Sequence, residues 1–129
     1  FYLEVFFIYF NMRNSALVNL DVEKIIYIIF IIISIMGIIG TNYEEKFLLT
    51  KDTTYHKKGS TIFKITITIA LLIYLYYLKR NYEIFNEANE KEKNMIRIRL
   101  FGSIFFVVGA LCLVYFRFKD TTFVEPPEI

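Results

Sequence analysis

Residues 25–40 read IIYIIFIIISIMGIIG, and no Asp, Glu, Lys, Arg or His falls among them. A helix on the surface of a soluble domain shows one apolar stripe and one polar face, whereas this stretch is apolar on every side. Two more such runs follow, ITITIALLIYLYYL at 65–78 and LFGSIFFVVGALCLVYF at 100–116, again without an ionisable residue of those five types. A chain of 129 residues has room for one domain, so three all-round apolar helices have nothing to hide behind except lipid. The expected fold is therefore all-α, a polytopic membrane protein built as a small bundle of three transmembrane helices.

The apolar runs are shorter than the roughly 20 residues that cross a hydrocarbon core, but their margins extend them. Lys24 and Lys64 can lay their stems in lipid and lift their ammonium groups to the headgroups. The expected spans are Val22–Thr41, Thr61–Leu78 and Ile98–Phe118, which define a membrane domain over 22–118. Between Ile25 and Ile39 the first span holds eleven Ile or Phe residues. At roughly −0.3 to −0.6 kcal/mol each, they favour insertion by several kcal/mol. The second run begins with a period-two alternation, Lys64–Ile69, which taken alone is a strand signature. The unbroken apolar residues to Leu78 outweigh it, because one strand cannot satisfy its backbone in lipid.

Around these spans, residues 1–21 form an amino-terminal segment. Phe1–Phe10 reads as a truncated helix, as a helix in the interface, or as residues upstream of a start at Met12. Asn19 is a fitting cap for helix one, and Gly40–Thr41–Asn42 is a fitting stop. The charged stretch Asn42–Ser60 is then expected as a loop, with His56 a solvated side chain in it. Helix two is expected to extend out of the membrane, because Tyr74, Leu78, Tyr82 and Phe85 keep one apolar stripe past the boundary. A break near Asn86–Asn94 leads into helix three. The tail, residues 119–129, contains Pro126–Pro127 and is expected to be extended or disordered.

Orientation rests on a thin charge bias. The amino-terminal side with loop two carries eight Lys or Arg, and loop one with the tail carries seven. Lys79–Arg80 and Arg97/Arg99 flank loop two closely, which favours a cytoplasmic amino terminus and loop two. Lys79, Arg80, Lys93, Arg97 and Arg99 are the candidates for anionic lipid-headgroup contact. Tyr74, Tyr76, Tyr77 and Tyr115 suit an interfacial belt. The bias toward Ile, Lys, Asn, Tyr and Phe points to an AT-rich genome such as that of a low-GC bacterium.

Chemistry is sparse. No HExxH, GxSxG, P-loop, GxGxxG or CxxC occurs, and His56 is the only histidine. No catalytic residue, metal ligand or cofactor-binding residue is expected, and hence no enzyme. The formal charge of +2 without a basic stripe gives no reason to expect nucleic acid as a partner. Cys112 is the only cysteine and reads as a small apolar filler. The three charge-free cores, 25–40, 65–78 and 100–116, lack the intramembrane charge that coupled carriers and voltage sensors use. What they offer is small residues for close helix packing: Gly102, Ser103, Gly109 and Ala110 on helix three, Thr66 and Ala70 on helix two. The expected role is that of an accessory, regulatory or protective (immunity-like) membrane protein that acts by binding another protein. The alternative is a pore- or holin-like homo-oligomer, lined by Ser34, Thr66, Thr68 and Ser103, that permeabilises the bilayer.

Overall fold

The computed structural model describes residues 2–129, with side chains described for 2–5 and 16–129. The described residues form three helices: α1 (Tyr2–Thr50), α2 (Thr53–Glu87) and α3 (Glu90–Lys119). Each is long and apolar enough to cross a membrane. At 1.5 Å per residue, α2 is about 52 Å long and α3 about 45 Å, so both exceed a hydrocarbon core of about 30 Å. The chain divides into two units, Phe1–Ile32 and Ile33–Ile129. The first is the amino-terminal part of α1, where Leu17, Leu20, Tyr27 and Ile31 are all exposed.

The second unit carries the packing. On α2 the buried residues Gly59, Phe63, Thr66, Ala70 and Ile73 fall at alternating steps of four and three. The same rhythm buries Ser103, Val107, Ala110 and Arg117 on α3, with Val114 half-buried between them. On the carboxyl-terminal part of α1 it runs through Ile33, Gly37, Gly40 and Glu44. A mean step of 3.5 residues is the spacing of a coiled-coil seam, which keeps one line of each helix against its neighbours. Small residues on that line let the backbones approach. A Cβ added at Gly40 would lie 2.7 Å from the Phe63 ring, and one at Gly59 would lie 2.6 Å from Glu44 Oε1.

Several expectations need correction. Helix one does not stop at Gly40–Thr41–Asn42; α1 runs on to Thr50. Gly40 serves the contact with Phe63 rather than a helix end, and no proline stands between Gly40 and Thr50 to interrupt the helix. The expected loop Asn42–Ser60 shrinks to Lys51–Asp52. There Lys51 takes a left-handed φ of 61° and donates its N–H to Phe47 O at 2.8 Å. Asp52 caps α2, its carboxylate accepting from Thr54 N at 3.0 Å. Asn19 lies within α1 and caps nothing, because the helix already runs from Tyr2. The break between α2 and α3 is Ala88–Asn89, with Asn89 as the cap of α3. Residues 120–129 contain no helix. Of the stretch Phe1–Phe10, for which three readings were raised, Phe1 and the side chains of 6–10 lie outside the described residues.

Candidate functional site

Glu44, His56 and Arg117 fall on the buried seams of α1, α2 and α3, at the end of the unit where Lys51–Asp52 turns the chain. Glu44 follows Gly40 by four residues and Gly37 by seven, so the α1 seam carries it inward. His56 precedes Gly59 by three, and Arg117 follows Ala110 by seven. Glu44 is 3% exposed and Arg117 2% exposed. His56 Nδ1 meets the Glu44 carboxylate at 2.8 and 3.0 Å, and its Nε2 meets Thr121 O at 2.5 Å. The Phe47 ring lies 4.9 Å from the imidazole. His56 is thus not a solvated loop residue, because one turn of α2 places it between α1 and the tail.

Both partners of His56 are acceptors. A neutral imidazole has a single N–H, so serving a carboxylate and a carbonyl together requires the imidazolium. The bond to Glu44 raises the His56 pKa above its ordinary value, against the opposing effect of burial, and the Thr121 carbonyl adds to the rise. Stabilisation from this group is fully present below the ordinary histidine value. It is lost as pH climbs through the raised one.

Arg117 closes the cluster on the other side. Its guanidinium donates to Phe123 O at 3.2 Å and to Glu125 O, and lies over the rings of Phe63 and Phe123 at 5.1 and 5.7 Å. Phe123 in turn packs edge-on against Phe116. Three points of the tail, Thr121, Phe123 and Glu125, are therefore held by α2 and α3. Arg117 Nε is buried without a hydrogen-bond partner. The planar fork of an arginine suits the paired carbonyls in a way a lysine would not.

The small residues expected at helix contacts separate into two groups. Thr66, Ala70, Ser103 and Ala110 are buried on the seams, and Ser103 accepts a bond from the Asn81 amide while donating to Arg99 O at 3.2 Å. Gly102 and Gly109 look the other way: a Cβ on either would meet nothing within 4 Å. They border an apolar groove of about 500 Å³ together with Tyr74, Phe105, Phe106 and Ile129. The tail reaches this groove and also lies along α1, where Pro126 and Pro127 share a second hollow with Ser34 and Gly37.

At the opposite end of α2, Lys93 and Arg97 converge on the Phe85 ring at 5.4 and 5.8 Å. Lys93 also lies 4.0 Å from Glu90. Lys79 and Arg99 are exposed and Arg80 is half-buried. Among the described residues no group of three or more His, Cys, Asp or Glu could hold a metal ion. Cys112 is exposed on α3.

No family model, curated protein or solved structure matches this chain.

The Glu44–His56–Arg117 set was missed in the sequence because each residue sits in a charged stretch. Glu44 stands beside Glu45 and Lys46, His56 beside Lys57 and Lys58, and Arg117 beside Lys119. The available signal was phase. Each continues, by steps of three, four or seven, the line of small residues already visible in its own helix.

Proposed function

We propose that the chain is a multi-pass integral membrane protein, a bundle of three transmembrane helices, that acts by binding another membrane protein as an accessory, regulatory or immunity-like component. The observation that supports it is the surface left over after folding. Only 28% and 17% of the most apolar windows of α2 and α3 are buried, so lipid or another protein must cover the remainder. Within that surface the groove at Gly102 and Gly109 has room for a second helix to bring its backbone close to α3.

The setting is a bacterial cell membrane, with the amino terminus and the α2–α3 corner in the cytoplasm. Lys79, Arg80, Lys93, Arg97 and Arg99 at that corner are placed to meet anionic headgroups, and α2 leaves the membrane there. The pore alternative is less well supported. Thr66 and Ser103, which would have to line its wall, are buried inside the single chain.

Site-specific photocross-linking tests the reading. A photoreactive phenylalanine replaces Phe105, which is 74% exposed at the groove, and the protein is irradiated in its native membrane. One discrete adduct with one other protein is expected, and Gly109→Leu should abolish it. Adducts only with lipid, or only with a second copy, would overturn it.

A further inference from the structure

We propose that the cleft between the first turns of α2 and the start of the tail binds a phosphate group through Lys57, Lys64 and the Ser60 hydroxyl, and that this phosphate is the headgroup of an anionic phospholipid. The lipid source rests on the bilayer setting proposed above. The phosphate site itself does not depend on it.

The cleft is built from two parts of the chain. Thr53, Lys57, Ser60, Thr61 and Lys64 follow one another at steps of four, three, one and three, so one face of α2 gathers them. The opposite wall is the tail, where His56 Nε2 fixes the Thr121 carbonyl at 2.5 Å. Between the walls lies a space of about 580 Å³, enough for a phosphate and the glycerol behind it.

The charges of that space have one sign. Among the described residues no Asp or Glu lines it. The carboxylates close by are engaged elsewhere: Glu44 with His56 Nδ1, Asp52 with Thr54 N, and Asp120 with Thr122. Glu44 therefore balances the imidazolium, and Lys58 lies over the Tyr43 ring at 5.6 Å. Lys57 and Lys64 are left as two positive charges that no carboxylate answers. The side chains of Lys57 and Ser60 have no hydrogen-bond or ion-pair partner among the described residues. Lys64 lies over the Phe118 ring at 5.3 Å, a contact that leaves its N–H groups free to donate. Seven residues separate the two lysines by about 10.5 Å along the axis, with Ser60 between them. Their flexible four-carbon stems let both ammonium groups converge on one phosphate there.

Depth points to the lipid. Lys64 directly precedes the charge-free run 65–78, so the cleft stands at the edge of the apolar span. From Thr61, steps of four and seven continue its face to Ile65 and Leu72, which are 43% and 61% exposed. Acyl chains hanging from a phosphate in the cleft would cover that surface, and free phosphate would make no use of it.

Titration calorimetry of the full chain in a neutral detergent uses three probes: dihexanoyl phosphatidylglycerol, dihexanoyl phosphatidylcholine and sodium phosphate. Phosphatidylglycerol is expected to bind at one per chain, and phosphatidylcholine, whose choline cancels the charge, at least about tenfold more weakly. Lys57→Gln combined with Lys64→Gln should weaken phosphatidylglycerol by roughly tenfold or more. Lys46→Gln combined with Lys91→Gln removes the same charge outside the cleft and should change binding by less than about twofold. Lys57→Arg combined with Lys64→Arg should retain the binding, which separates loss of charge from loss of fold. Equal weakening in the two glutamine pairs overturns the site, as does equal binding of the two lipids or no saturable binding of any probe. Sodium phosphate that binds through the same lysines as tightly as phosphatidylglycerol would keep the site and remove the lipid. A photocross-linked partner without phosphate binding would remove this site alone; phosphate binding without a partner adduct would remove the docking role alone.

Discussion

α1 passes to α2 through Lys51–Asp52, and α2 passes to α3 through Ala88–Asn89, two corners of equal length and opposite character. Each hands its second residue to the next helix as a cap: Asp52 accepts from Thr54 N, and Asn89 accepts from Glu92 N at 2.9 Å. Beyond the caps they diverge. Beside the first, Glu44 and Arg117 are buried and the tail is tied down. Beside the second, Lys93 and Arg97 lie over Phe85 from the surface. A cap sets where a helix starts, and it does so equally well in both places. What separates the corners is desolvation: at the first, charges removed from water must find defined partners, whereas at the second they keep their hydration.

The contrast breaks most easily at its two arginines. Arg117→Ala removes two charge-assisted bonds and two ring contacts from a closed site, and should lower stability by about 2–4 kcal/mol. Arg97→Ala removes one surface ring contact and should change stability by less than about 1 kcal/mol. Reversible unfolding in mixed micelles measures both. Equal effects would mean that the buried end is no more specific than the exposed one. Arg117→Lys should recover little, because a single ammonium cannot serve two carbonyls with the same planar geometry.

Glycines sharpen the comparison at the next level. Gly40 faces the Phe63 ring, which is fully buried and has no room to yield. Gly40→Ala should therefore destabilise by about 1–3 kcal/mol through overpacking. Gly109 faces open space, so Gly109→Ala should leave stability unchanged or raise it by up to about 1 kcal/mol through helix propensity. Thermal melts of the two variants should thus move in opposite directions. Movement in the same direction would show that the close approach of α1 to α2 at Gly40 is not what positions Glu44 against His56.

The same residues mark what could be read from the sequence. Three all-round apolar runs give three long helices, because only lipid or protein can cover such surfaces. The seams were harder to see, since Ile, Leu and Phe on every face leave no hydrophobic periodicity to follow. Thr66, Ala70, Ser103 and Ala110 stood out only by being small. Gly40 misled: beside Thr41 and Asn42 it resembles a helix end, and that resemblance turned the final turns of α1 into a loop. With the loop came the mistaken solvation of His56, because a charged stretch suggests water unless its phase with the seam is followed. The tail's return to the groove was not legible at all. It depends on Arg117 meeting carbonyls six and eight residues ahead of it, which no local pattern announces.

The smallest effect concerns the corner backbones themselves. Lys51 ends α1 with φ 61°, a conformation in which an L side chain presses on its own carbonyl at roughly 1–2 kcal/mol. Glycine relieves that pressure but adds freedom to the unfolded chain, so the two terms partly cancel. Lys51→Gly should still raise stability, by up to about 1 kcal/mol. Ala88 has φ −72°, which any residue adopts without strain. Ala88→Gly therefore has only the unfolded-state term and should lower stability by about 0.5–1 kcal/mol. The pair of melts thus separates backbone strain from charge burial. If Lys51→Gly instead destabilises, the lysine contributes through its side chain, and the difference between the corners extends to the connector itself.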